Sequence, residues 1–368
     1  MLETGSLQPR SFTPEVLCAM GSLTYRNSFA SRDLAVDLGT TNTVVYVRRR
    51  GILLSEPSLI ALDTRTREVR AVGIDAKRLV ECGTESITAV RPLRHGAITD
   101  FGLAEEMLRR FFRKIYRTRR ARPRVVVLGV PTGATGVERR AAEEACLSAG
   151  ARRAYLMEEP LAAAIGAGLP VAELSGSLVV DIGGGTSEIA VISLGEIVAW
   201  QSIRIGGDEF DEAIIKHMKR EHELLISPHT AEKVKRQVGS ACPTGNEVQV
   251  EVRGRDIRST CPQTARVSSE EIRDALERPV AHIIDAVKNT LSRTPPELGG
   301  DLVDRGMILA GGGSLLRGLQ DRLRQEIGMP VRVAELPLTC VAAGSATWLE
   351  QPETINGSGN ASSNWARR

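Results

Sequence analysis

No stretch of this 368-residue sequence approaches the roughly 20 consecutive apolar residues that a membrane-spanning helix needs. An excess of one charge is also missing: the formal net charge is +3, too small to argue for a nucleic-acid partner. The five histidines and the six cysteines (Cys18, Cys82, Cys146, Cys242, Cys261 and Cys340) are scattered, with no C-x-x-C or H-E-x-x-H spacing. That excludes a disulfide framework or a zinc site coded by spacing, and reads as the reduced thiols of a cytoplasmic protein. The pattern G-x-x-x-x-G-K-[ST] is absent, which argues against a P-loop enzyme. No glycine run completes the G-x-G-x-x-G of a dinucleotide fold. With 42% hydrophobic and 25% charged residues, the composition supports a soluble globular chain long enough for two domains with sizeable cores.

One stretch organises what is present. Residues 178–192, Leu-Val-Val-Asp-Ile-Gly-Gly-Gly-Thr-Ser-Glu-Ile-Ala-Val-Ile, read as a strand, a tight glycine turn and a second strand. Residues 34–47, Leu-Ala-Val-Asp-Leu-Gly-Thr-Thr-Asn-Thr-Val-Val-Tyr-Val, are its counterpart, with Leu34 matching Leu178, Val36 matching Val180, Asp37 matching Asp181 and Gly39 matching Gly183. An internal repeat at this separation predicts two domains on one plan. Turns of Gly and Thr leave successive backbone N–H groups uncovered, a concave nest for anions that glycine lets a phosphate approach closely. The aspartates cannot bind phosphate themselves, but they can hold a magnesium ion, usually through water, that neutralises phosphate charge. Either hairpin alone reads as an ordinary Asp-x-Gly turn. The matched pair, face to face, would clamp a triphosphate and its metal.

Two further segments fit such a clamp. Residues 308–316 run from an apolar strand into Gly311, Gly312, Gly313 and Ser314, then into an amphipathic helix to about Glu326. Glycines at a strand-to-helix junction let a flat ligand lie against backbone. Glu158 and Glu159 stand just before a helix begun by Pro160. They read either as acids favoured at a helix N-terminus or as a carboxylate that orients or deprotonates a water aimed at a γ-phosphate. Spacing leaves both readings open.

At this point the residues resemble a known family. Asp37–Thr43, Asp181–Thr186 and Gly311–Ser314 look like the first phosphate, second phosphate and adenosine motifs of the actin, sugar-kinase and heat-shock-chaperone ATPase superfamily. Within it the sequence is similar to the MreB/Mbl family of bacterial actin homologues. The specific phrases are Glu56–Ser58, Arg91–Asp100, Gly129–Gly133, Val137–Arg140, Glu158–Pro160, Ser202–Glu209, Thr294–Leu298 and Gly311–Gly318, and the similarity covers about residues 33–350. The resemblance implies an α/β, actin-like fold of two duplicated ribonuclease-H-like domains, each with a small inserted subdomain and with nucleotide in the cleft between them. It implies that Thr40, Thr41 and Asn42 contact the β- and γ-phosphates from one side and Gly184, Gly185 and Thr186 from the other. Asp37 and Asp181 would hold hydrated Mg2+, Glu159 would position the attacking water with Thr186, and Gly311, Gly312, Gly313 and Ser314 would face the adenosine. In the family a Glu and a Lys of a second-domain helix embrace the nucleoside; here residues 230–236 supply Glu232, Lys233 and Lys235, of which Glu232 and Lys235 are the choice. Without the resemblance that segment reads as a solvated charged face.

The implied division is an N-terminal extension over 1–32, expected to be disordered or weakly ordered; a first domain over 33–176 with an insert at about 60–98; a second over 177–350 with an insert at about 208–275; and a disordered tail over 351–368, which lacks the apolar content to fold. Along the way, 103–116 predicts an amphipathic helix, 125–130 a buried inner strand, 137–148 a helix, and 244–264 a half-buried strand, and Asp208 predicts a helix N-cap. Residues 117–124, Arg-Thr-Arg-Arg-Ala-Arg-Pro-Arg, are the densest charge run. They read as a solvated loop or as a patch for anionic lipid heads. Many members of the family carry a membrane-inserting apolar pair at about this loop, so the arginines make any membrane contact electrostatic. The function implied is an ATP-binding cytoskeletal protein that polymerises into membrane-associated filaments and organises cell-wall synthesis and cell shape, with slow ATP hydrolysis. Its partners would be copies of itself, the inner face of the membrane and cell-wall synthesis proteins. The alternatives are a nucleotide-binding paralogue with weak or no hydrolysis, or a small-molecule kinase of the same fold, for which no convincing general-base segment is found.

Overall fold

Each matched stretch becomes an antiparallel hairpin inside a five-stranded sheet. The structure is a computed structural model that describes residues 32–83, 86–116, 122–243, 245 and 247–350. In chain order, β1 (Asp33–Leu38), β2 (Asn42–Val47) and β3 (Gly51–Pro57) form a meander, with Arg49 in left-handed backbone at its second tip. A small three-stranded sheet follows, made of β4 (Ile60–Asp63), β5 (Val69–Val72) and, after helix α1 (Ile74–Glu81), β6 (Ile87–Val90). The two-stranded hairpin of β7 (Leu93–Arg94) and β8 (Ala97–Ile98) leads to α2 (Phe101–Tyr116). Then β9 (Val125–Val130), α3 (Gly136–Ser148), β10 (Arg153–Glu158) and α4 (Glu159–Gly166) complete the first sheet in the order β10-β9-β1-β2-β3.

The second half repeats that order. Strands β11 (Ser177–Ile182), β12 (Ser187–Ser193) and β13 (Glu196–Ile203) form the meander. Next come α5 (Gly207–Glu221), β14 (Leu224–Leu225), α6 (Pro228–Val238), β15 (Gln249–Asp256), β16 (Pro262–Ser268), α7 (Ser269–Ser292) and α8 (Pro296–Arg305). After β17 (Met307–Ala310), α9 (Leu319–Ile327), β18 (Val331–Val333) and α10 (Cys340–Glu350), the sheet reads β13-β12-β11-β17-β18. In both sheets the first strand pairs antiparallel with the second and parallel with a later strand, so the two Asp-bearing strand ends hold equivalent places.

The pattern of apolar residues explains these elements. The run Val125–Val130 is an inner parallel strand, buried on both faces as such strands are. Met107, Leu108, Phe111 and Phe112 form the buried stripe of α2, and Phe210, Ile214 and Met218, four residues apart, form that of α5. Thr135 and Glu138 close a capping box at the start of α3.

Three local expectations are corrected. Asp208 is not an N-cap: Gly206 is, and the Asp208 N–H donates to Gly184 O (2.7 Å) in the first helical turn. The strand expected over 244–264 is part of an antiparallel pair, β15 and β16, because the Asp256 carboxylate accepts the N–H groups of Arg258 and Ser259 and turns the chain. The helix expected directly after the triple glycine is split into a short 3-10 turn (Gly312–Leu315) and α9, with left-handed Gly318 between them.

Helices α4 and α10 cross at two glycines. A Cβ on Gly166 would overlap Cys340 O, and one on Gly344 would overlap Ala162 O. Backbone therefore packs on backbone just behind Glu159, the first residue of α4. Gly344→Ala is expected to cost about 2–3 kcal/mol of unfolding free energy by overpacking; a chemical-denaturation midpoint unchanged from wild type would refute this contact.

Of the sequence readings, the extension over 1–31, the arginines over 117–121 and the tail over 351–368 lie outside the described residues. Among the described ones, Arg124 donates to Asp33 (2.9 and 2.7 Å), so this end of the charge run is tied to β1. Five cysteines are described and all are free thiols. No described helix is long and apolar enough to cross a membrane.

Candidate functional site

The first turn, Gly39–Thr41, is held from below by Ser58. That buried hydroxyl donates to Gly39 O (2.6 Å), its N–H donates to Thr41 O (2.9 Å), and it lies 2.8 Å from the Thr43 hydroxyl. The second turn is held by its own Gly183 N–H donating to Thr186 O (2.8 Å) and by the N–H groups of Gly207 and Asp208, which donate to Gly183 O (3.0 Å) and Gly184 O (2.7 Å). The start of α5 thus rests on this turn. The two turns meet. A Cβ on Gly184 would overlap the Thr41 hydroxyl, and one on Gly185 would stand 2.9 Å from Thr40 Oγ1. The Thr41 Oγ1 is shielded from solvent and has no hydrogen-bond partner. Asn42 is exposed at the start of β2.

Acids gather behind the turns. Asp181 is buried, Asp37 is partly buried, and burial pushes each carboxyl up to about 7, with the Asp181 charge adding to the effect on Asp37. The structure separates the two glutamates that spacing left equal. Glu158 accepts from Arg139 (2.9 Å). Glu159 turns inward, 9% exposed, with its Cγ against Gly129, the one residue of β9 without a side chain. Burial first, then the charges of Glu188, Asp37 and Asp181, raise the Glu159 carboxyl well above the usual carboxylate range. Glu188 is the fourth acid. It accepts from the Ser202 hydroxyl and from Thr132 N–H (3.2 Å), and burial pushes it up to about 7.

In the loop after β17, Gly311 (φ 75°) and Gly313 are required because a Cβ on either would overlap Ile182 or Asp181 at the end of β11. The buried Ser314 hydroxyl donates to Gly311 O (2.7 Å) and so braces the loop. Lys235 donates to Gly207 O (2.9 Å) and pairs with Asp211 (2.8 Å), which places it beside the second turn. Glu232, one turn back on α6, raises the Asp211 carboxyl together with Asp208, after burial as the main cause. Lys233 is exposed. A half-open cavity of about 360 Å³ lies at the opposite ends of β11 and β17, among Leu169, Gly176, Arg305 and Arg332, and contains none of these residues.

A family model described as MreB/Mbl protein matches residues 31–357. The chain belongs to the MreB/Mbl family. It is 49% identical over 340 residues to the cell shape-determining protein MreB of Escherichia coli (strain K12), covering 90% of this chain and 97% of that protein. It is 45% identical over 326 residues to the cell shape-determining protein Mbl of Bacillus subtilis (strain 168), covering 88% and 98%. Among solved structures, MreB5 of Spiroplasma citri bound to ADP superposes with a TM-score of 0.82 at 35% identity, covering 89% of this chain and 98% of that one. The fold of this MreB/Mbl chain is therefore actin-like.

The donor set of this MreB/Mbl member fits a hydrated magnesium ion and a polyphosphate. The oxygens of Asp37 and Asp181 are hard donors in a buried position that raises their proton affinity, and the Thr41 hydroxyl lacks a partner. Three contributors carry little signal in the sequence. The His95–Gly96 tip between β7 and β8 touches both turns: Gly96 N–H donates to Thr40 Oγ1 (2.9 Å), and His95 Nδ1 lies 3.2 Å from Gly185 O. Beside it, Arg91 pairs with Asp208 (2.8 Å). The only local signal was left-handed backbone implied by Gly96. Glu188 is legible only as the one charged residue of a fully buried strand.

Proposed function

We propose that this chain is an ATP-binding, actin-like cytoskeletal protein that polymerises into membrane-associated filaments, organises cell-wall synthesis and cell shape, and hydrolyses ATP slowly. The observation that carries this reading is the gathering of Asp37, Asp181, Glu159 and Glu188 beside two touching Gly/Thr turns: the acids suit a divalent cation, and that cation, with the turns, suits a polyphosphate. The cell shape-determining relatives MreB and Mbl support the cell-shape role, and MreB5 of Spiroplasma citri bound to ADP and to AMPPNP supports nucleotide binding.

In this reading Thr40, Thr41 and Asn42 donate to the phosphates from the first turn, and Gly184, Gly185 and Thr186 from the second. Asp37 and Asp181 hold Mg2+ through water, which neutralises phosphate charge. Glu159 takes the proton of the attacking water, and the Thr186 hydroxyl orients that water. Gly311, Gly312, Gly313 and Ser314 form one wall for the adenosine; Glu232, Lys233 and Lys235 form the other. The division into domains at 33–176 and 177–350 lets nucleotide bias closure, because ATP shifts a two-state equilibrium only by binding one state better. Subunits that join head to tail without closing a ring give filaments. The protein would act in the cytoplasm, at the inner face of the membrane.

The test is pelleting of the full chain with and without ATP and anionic liposomes, for wild type and Glu159→Ala. Pelleting that requires ATP, increases with anionic lipid and lasts longer in the variant is the expected result. A chain that binds ATP yet stays monomeric throughout would overturn the filament reading and leave a nucleotide-binding paralogue or a kinase.

A further inference from the structure

We propose that His217, His222 and Glu271 form a second metal site, for a zinc-class divalent ion, at the end of α5 remote from the phosphate turn. One nitrogen of each imidazole and one carboxylate oxygen of Glu271 lie within 4.8 Å of one another. His217 is 8% exposed, and its Nε2 has no hydrogen-bond partner. A buried polar atom left without a partner costs about 1–3 kcal/mol, so it calls for an explanation. A metal ion supplies one.

The local backbone makes the cluster. The two histidines are five positions apart, an offset that does not share one face of a continuous helix. But α5 ends at His222 (φ −115°), and Glu223 follows in left-handed backbone (φ 50°). The chain unwinds there, and the two rings come within 5.9 Å, centre to centre. Glu271 arrives from α7, where it is the acid of a capping box. Its Oε2 accepts Ser268 N–H (2.7 Å), which leaves Oε1 3.2 Å from His222 Nε2. That cap fixes the carboxylate as an outer-shell partner fixes a ligand. The His222 and Glu271 side chains are 19% and 39% exposed, so the cluster opens to solvent on one side.

Two imidazoles and one carboxylate with an open position are the donor set of zinc at ~2.0–2.2 Å. Nitrogen donors disfavour magnesium, which separates this site chemically from Asp37 and Asp181. A metal here would tie the end of α5 to the start of α7. Because α5 begins on the second phosphate turn, the tie would stiffen the strut on which that turn rests. The inference does not depend on ATP hydrolysis.

The experiment is calorimetric titration of the full, nucleotide-free chain with ZnCl2 in excess MgCl2, for wild type, His222→Gln and Glu271→Gln. Gln at position 271 can keep the cap through its amide oxygen. Wild type is expected to take up one saturable equivalent of Zn2+ through this site and to gain thermal stability. Each variant is expected to bind about tenfold or more weakly, with an unchanged circular-dichroism spectrum. His217→Gln should abolish the same equivalent. Absence of saturable Zn2+ binding in wild type, or an isotherm and a thermal shift unaltered in His222→Gln, would overturn the proposal and return the trio to an ordinary His222–Glu271 ion pair beside a buried ring.

Discussion

Glu159→Gln is expected to slow phosphate release from ATP by roughly 10²–10³-fold while changing nucleotide affinity little. The amide keeps the shape of the side chain against Gly129 but cannot take a proton from water. The rate is expected to carry a pH signature as well. Burial, and then the charges of Glu188, Asp37 and Asp181, hold the Glu159 carboxyl well above the usual range. A general base must be ionised, so wild-type hydrolysis should rise with pH above the ordinary carboxylate range, and Glu159→Gln should lose that rise. Glu188→Gln should move it to lower pH by removing one neighbouring negative charge. Single-turnover phosphate release measured across pH decides the matter. A Glu159→Gln rate within about threefold of wild type would remove this residue from the mechanism, whatever became of the filament reading.

The sequence made some of this legible for physical reasons. Strand–turn–strand units are local, and their apolar runs and glycines show in windows of about fifteen residues, so β1–β2 and β11–β12 match in the sequence itself. Where choice depends on the third dimension, local signals failed. Glu158 and Glu159 are adjacent and equally suited to a helix start, and only the position of Arg139 on α3 and the gap at Gly129 in β9 decide which turns inward. Glu188, Arg91 and His95 reach the site from elements read only as strand or as family phrase. His217 and His222 violate helical spacing, and it is the unwinding after Glu221 that brings their rings together. Residue type favours Asp208 as a cap, but Gly206 takes that place because the chain passes so close to Gly183 and Gly184 that a Cβ there would stand 2.6 Å from the Gly183 carbonyl.

Asp181→Asn is expected to stabilise the ligand-free chain at pH 8 and to weaken its binding of Mg2+–ATP. The sign follows from proton affinities. In the folded state Asp37 and Asp181 titrate at about 7, against 3.8 as the ordinary value. The folded protein therefore holds these protons more tightly than the unfolded chain does. The stability this contributes is fully present below about pH 3.8 and is lost as pH rises through 7. The loss is on the order of 4 kcal/mol for each group. Asparagine cannot ionise, so the variant escapes much of the loss, and its advantage over wild type should grow between pH 5 and pH 8. Saturating Mg2+–ATP should reverse the ranking at pH 8, since only a protein that binds the ligand gains RT ln(1 + [L]/Kd). Denaturant titrations at the two pH values, with and without Mg2+–ATP, measure all of these quantities. An advantage that is the same at pH 5 and pH 8 would show that the carboxyls are not held in a proton-hungry site. If the gain with pH appears, the ligand-free site stores electrostatic strain beside the two touching turns, and bound Mg2+–ATP gains affinity by relieving it.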